Sequence, residues 1–116
     1  MLNLPLFDKV MKLIELEPER WEQSTWAYKA ECGTAFCFAG HVVNLTMPED
    51  AYFPFSEFDR ETARVVIDGA MNSISTVAMR ELGISAGEAV ALFNGGNTMT
   101  DIRRIRDFLV EKYETI

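Results

Sequence analysis

Cys32-Gly-Thr-Ala-Phe-Cys-Phe-Ala-Gly-His41 is the stretch on which the fold turns. It reads as a loop that runs into a helix packed with small side chains. Gly33 permits a tight approach, and Thr34 is placed to cap the free amides of the helix that follows. That helix is expected to run from Ala35 to about Leu45. Ala35, Ala39 and Gly40 leave so little bulk that another element can lie almost against its backbone. Phe36, Cys37, Val42 and Val43 give it little polar surface, so it should be the most buried helix and the hub of the fold. Just upstream, Trp21-Glu-Gln-Ser-Thr-Trp26 sets two large aromatics around a polar centre, in a short helical turn expected over 19–26. The two rings should close the open end of the core, and each indole N–H needs an acceptor.

Toward the N-terminus, Pro5 suits the first turn of a helix, where its missing amide would be free in any case. Leu6, Val10, Leu13, Ile14 and Leu16 form its apolar face, and Pro18 ends it. Toward the C-terminus, 47–60 is rich in acids, aromatics and proline, and Pro48 and Pro54 exclude a long helix. Tyr52, Phe53, Phe55 and Phe58 either tuck under the core or form an exposed contact patch. Arg64-Val-Val-Ile-Asp-Gly-Ala-Met71 reads as a β-hairpin, because Asp68-Gly69 suits a two-residue turn with positive φ and the run before it is β-branched, although Glu61-Thr-Ala-Arg64 also favours a helix through the same residues. Ser75 is placed to cap a helix through Ala78 and Leu82 that Gly83 closes. Ser85, with Glu88 after it, forms a capping box for the next. Asn94-Gly-Gly-Asn97 breaks that helix. Thr98 or Thr100 caps the last one, in which Ile102, Ile105, Leu109 and Tyr113 recur at helical spacing.

Trp21-x-Gln23-x-x-Trp26 followed by Cys32-Gly33-Thr34-Ala35-x-Cys37-x-Ala39-Gly40 resembles the motif of a family of small proteins found in actinobacteria and their phages. The likeness continues through Leu82-Gly-Ile, Ala89, Leu92-Phe93 and Asn97-Thr98, and so spans the chain from about Glu17 onward. It implies organisation and origin and carries no biochemical activity. Under it, Trp21, Gln23, Trp26, Cys32, Gly33, Thr34, Cys37 and Gly40 form a structural motif. One position departs: similar proteins carry Trp where this chain has His41.

A chain of 116 residues suits one domain, 1–116, and its 48% hydrophobic content is that of a globular protein. No apolar run approaches the roughly 20 residues of a membrane span, and the N-terminus lacks the pattern of a secretory signal, so a cytoplasmic protein is expected. The net charge is −7. Residues 1–59 hold four basic and ten acidic side chains, against seven and eight in 60–116. Long-range attraction to nucleic acid or an anionic membrane is therefore disfavoured, whereas a basic protein partner is not.

Catalytic chemistry finds little footing. The one histidine, His41, would have to serve any Ser-His-Asp arrangement, and no Gly-x-Ser-x-Gly turn exists. Gly95-Gly96 lacks the Lys-Ser/Thr of a phosphate loop. Cys32, Cys37 and His41 could join a carboxylate around zinc, yet their spacing is not that of paired zinc ligands. Cys37 in the first turn of a helix could be an activated thiol that Cys32 resolves, although the flanking phenylalanines argue for burial. The stretch 75–92 has the cadence of a helix-turn-helix, with Arg103, Arg104 and Arg106 nearby to hold phosphate. Its second helix offers Ser85, Ala86, Gly87, Glu88 and Ala91 to base edges, which is a poor reading surface.

The expected fold is thus mainly α, a compact single domain of about five helices with one small β-hairpin near 63–74. The expected function is that of a non-enzymatic module that binds a protein partner, plausibly phage-encoded or actinobacterial, through Tyr52, Phe53, Phe55 and Phe58. No cofactor or metal is expected. A helix-turn-helix regulator is the alternative, followed by a thiol or zinc protein.

Overall fold

In the computed structural model, which describes residues 2–30 and 33–114, the decisive stretch divides between a strand and a helix. β1 (Ala27–Ala30) and β2 (Gly33–Phe36) pair antiparallel, with Ala27 opposite Phe36 and Ala30 opposite Gly33. Gly33 has φ +127°, which side chains rarely allow. Thr34 pairs with Lys29 in the sheet and does not stand at the start of the helix that follows, whose cap is Cys37. The chain stays extended through Cys37, whose Sγ accepts the Gly40 N–H at 3.4 Å and fills the N-cap position of α2 (Phe38–Thr46). The helix therefore starts later than Ala35. Pairing Ala35 and Phe36 with β1 satisfies backbone groups on both strands, and this tertiary gain outweighs a weak local helix preference.

The free edge of β1 takes β3 (Glu61–Thr62), so the first sheet has the order β2-β1-β3. β4 (Arg64–Ile67) and β5 (Ala70–Ser73) form the expected hairpin, with Asp68 at φ +52° and Gly69 at φ +76° in the turn. With helix at 52% and strand at 17%, the domain is mixed α/β, which corrects the mainly α expectation. Residues 19–26 also differ from expectation: a single 3-10 turn spans Pro18–Arg20, after which Trp21 bridges to Phe36.

Local signals set the remaining helices. α1 (Leu4–Leu16) carries Pro5 in its first turn, and its Asn3 cap accepts the Leu6 N–H at 3.3 Å. It buries Phe7, Val10, Met11 and Ile14. Leu16 falls off that stripe and is 70% exposed. α3 (Ile74–Leu82) follows β5 directly, with Ser73 rather than Ser75 at the cap, and ends on Gly83 at φ +71°. α4 (Ala86–Leu92) opens on the Ser85–Glu88 capping box. α5 (Met99–Glu114) opens on Thr98, whose Oγ1 accepts the Asp101 N–H at 3.2 Å while the Asp101 carboxylate accepts the Thr98 N–H at 2.9 Å.

α2 is the hub. Every residue from Phe38 to Val43 is buried, and its neighbours are α1 and α3. The Phe38 ring lies 4.7 Å from that of Phe7, and full burial of each contributes roughly 1.5–3 kcal/mol. A Cβ on Gly40 would collide with the Trp26 carbonyl oxygen and with Phe36, so α2 and the segment before β1 touch backbone to backbone. α5 is strapped antiparallel to α1 by Arg106–Asp8 at 2.6 Å and Arg103–Glu15 at 2.7 Å, above the buried Ile102 and Leu109. Among the described residues no helix is long and apolar enough to cross a membrane.

Candidate functional site

The Trp-x-Gln-x-x-Trp segment centres on an amide with all four of its hydrogen bonds made. Gln23 Oε1 accepts the Trp21 indole N–H at 2.9 Å and the Phe38 backbone N–H at 3.0 Å. Its Nε2 donates to the Leu92 carbonyl at 3.2 Å and the Asn94 carbonyl at 3.1 Å. One buried side chain thus ties the start of α2 to the end of α4. The two tryptophans differ. Trp21 has its acceptor, while the Trp26 ring stands edge-on to Phe93 at 6.0 Å and its indole N–H meets no protein acceptor among the described residues.

His41 and Cys37 are held the same way. His41 is 1% exposed, and its Nε2 faces the Arg20 carbonyl at 3.1 Å. A carbonyl only accepts, so the proton sits on Nε2 and Nδ1 is left buried without a partner. Burial pushes the His41 pKa down to about 4, against the bond to Arg20. Burial likewise pushes the Cys37 thiol up to about 11, against the Gly40 amide. Cys32 lies outside the described residues, and so does its part in a zinc trio or a disulfide. Among the described residues no three His, Cys, Asp or Glu side chains gather as a metal site.

The 75–92 hairpin is present as α3, a turn and α4, and the outward side of α4 carries Ala86, Gly87, Val90 and Ala91. Arg103 and Arg106 spend their charge on α1 carboxylates. Glu88, counted among the reading residues, is buried. Burial works to raise its pKa, but hydrogen bonds from Lys112, the Ser85 amide and Tyr113 outweigh it and hold the carboxyl at about 2.

The loop between α2 and β3 divides its aromatics. Tyr52 exchanges both backbone hydrogen bonds with Val66, at 3.1 and 2.8 Å, and so runs beside β4 as a one-residue strand. Phe53 turns in, its ring 5.2 Å from Phe36 and 6.3 Å from Phe55, and both are half-buried on the core. Tyr52 and Phe58 turn out, at 56% and 96% exposure. The Phe58 turn is fixed: the Ser56 N–H donates to the Asp59 carbonyl at 3.1 Å, and the Asp59 N–H returns to Ser56 Oγ at 2.9 Å. The loop and the start of β3 carry the exposed carboxylates of Glu49, Asp50, Glu57, Asp59 and Glu61, against Arg60.

Sequence reasoning missed one neighbour. Val66 faces Tyr52 on one side and Met71 on the other, and directly opposed residues share a face of the sheet. Tyr52, Val66 and Met71 therefore form a row, in which Met71 is 56% exposed. The Asp68-Gly69 turn carried that signal, since a two-residue loop fixes the register opposite Val66. No family model, curated protein or solved structure matches the chain.

Proposed function

We propose that this protein is a non-enzymatic binding module that contacts a partner protein through the acidic aromatic loop, with Phe58 and Tyr52 as anchors and Phe53 and Phe55 as their support. The carrying observation is Phe58, a large apolar side chain almost fully in water on a turn held by reciprocal hydrogen bonds. A disordered phenylalanine would lose conformational freedom on docking, whereas one on a fixed turn loses less. Seating it in an apolar pocket returns roughly 2–3 kcal/mol. The surrounding carboxylates favour a pocket ringed by Lys and Arg, and steer it to the loop. The state of the chemistry-bearing groups supports a role without catalysis: the imidazole and the Cys37 thiol are buried, neutral and engaged. A phage origin, which the resemblance implies, would make that partner a host protein whose process the module modulates.

The test captures proteins from nuclease-treated actinobacterial lysate on the tagged chain and, in parallel, on Phe58→Ala. Recovery of one basic protein near equal stoichiometry, lost with Phe58→Ala and weakened by added salt, is the expected result. Equal recovery by both chains, or recovery by neither, overturns the reading.

A further inference from the structure

Two grooves meet at Trp26. One, of about 440 Å³, is lined by Met79, Ala86, Ala89, Val90 and Phe93, with Ser75 and Thr76 at its rim. The other, of about 390 Å³, is lined by Ser24, Thr25, Asp59, Glu61, Thr62 and Arg64. Trp26 lines both. The first is apolar because Met79 of α3 and Ala86, Ala89 and Val90 of α4 line it with hydrocarbon. The second is polar because the end of the acidic loop passes beside the segment before β1. The Glu22 carboxylate, bonded to Ser24 Oγ at 2.7 Å, adds a third negative charge at its edge.

The wall between them is rigid. The Trp26 carbonyl accepts the Cys37 N–H, Gly40 packs against it, and Phe93 supports the ring. The indole N–H is a donor left over, and so is the Arg64 guanidinium, which makes no ion pair among the described residues. The cleft therefore offers an apolar slot, a pair of carboxylates and two donors suited to carbonyl oxygens. Those are the needs of a polypeptide with one cationic and one aliphatic side chain. A nucleic acid would meet the carboxylates with its phosphates, and a purely apolar ligand would leave them unused.

We propose that these grooves are one peptide-binding cleft, in which Asp59 and Glu61 take a Lys or Arg of the partner and the α3–α4 groove takes a large aliphatic residue close to it in sequence. This rests on the protein-binding reading and names the chemistry of the partner segment. Trp26 divides the two subsites and orients the backbone between them.

The experiment follows the two indole N–H signals by NMR in the full chain during titration with capped hexapeptides. One peptide has a lysine two residues before a leucine. The others replace the lysine by glutamate or the leucine by serine. The Lys/Leu peptide should move the Trp26 signal and leave that of Trp21 in place, with each replacement binding about tenfold more weakly. Asp59→Asn/Glu61→Gln should weaken the Lys/Leu peptide without affecting the fold, and Ala86→Phe should do so by filling the apolar side. If no peptide moves Trp26, the cleft proposal fails while lysate capture still decides the function. Equal binding of all three peptides, or an effect on Trp21 alone, overturns it as well.

Discussion

The two halves of the Trp-x-Gln-x-x-Trp segment sit a few residues apart and end in opposite conditions. Around Trp21, Gln23 and α2, Nδ1 of His41 is the one buried side-chain nitrogen or oxygen without a partner among the described residues, and Gln23 has all four of its bonds. Around Trp26 and the loop at 49–61, donors, carboxylates and aromatic rings face water. The first region is where the chain spends polar chemistry on itself, and the second is where it keeps that chemistry available. Residue type alone does not mark the difference, since both contain a tryptophan, phenylalanines and acids. What separates them is whether each polar atom has met a partner inside the fold.

Breaking the closed region should give the largest effects. Gly40→Ala forces a Cβ into the Trp26 carbonyl, which belongs to backbone and cannot swing aside, so a loss of about 3 kcal/mol or more is expected in urea unfolding. Gln23→Leu keeps the volume but strands the Phe38 and Trp21 N–H groups, at a cost of about 2–4 kcal/mol by the same measurement. The Leu92 carbonyl is spared, because Asn97 also donates to it.

Acid should sharpen the comparison in two steps. His41 has its folded pKa lowered from 6.5 to about 4, so the unfolded chain takes up a proton first and stability falls as pH drops through that window. Glu88, lowered from 4.5 to about 2, contributes stability that is present above pH 4.5 and lost below it. Unfolding followed from pH 7 to 3 should show both slopes, with His41→Phe removing the upper one and Glu88→Gln reducing the lower, to which Asp8, its pKa lowered by the hydrogen bond from Arg106, also contributes. In a Cys32→Ser background, Cys37 should react with a thiol reagent no faster than the chain unfolds, as its burial and raised pKa require. The open region gives the smallest change in stability: Phe58→Ser should move it by no more than about 0.5 kcal/mol while abolishing partner capture.

Much of the C-terminal half is legible because its signals are local. Gly83, Ser85 with Glu88, Thr98 with Asp101 and Asp68-Gly69 each act within a few residues of themselves. The β1–β2 hairpin is not, since Ala-Tyr-Lys-Ala has no alternation of its own and is settled by Phe36, Thr34 and the distant Glu61–Thr62. Cys37 hid the helix start, because a thiol is a weak acceptor and seldom a cap. The burial of the hub was readable from small residues, but the work of Gln23 was not, as its carbonyl partners lie beyond residue 90. In the loop, Phe53 and Phe58 look alike in sequence, and only contact with Phe36 distinguishes anchor from support.

The reach of Gln23 also sets an order of events in time. Its amide closes on Leu92 and Asn94, and the Asn3 N–H closes on Leu82, so the N-terminal third is pinned by the last third of the described chain. During synthesis the α1–β1–β2–α2 segment must wait for α3 and α4 to emerge before its central amide is satisfied. Contacts so far apart in sequence slow folding, because the loop must close before any bond rewards it. The Asp68-Gly69 hairpin and the two capping boxes form without waiting. Folding should therefore begin in the later half of the chain and finish at the tryptophans.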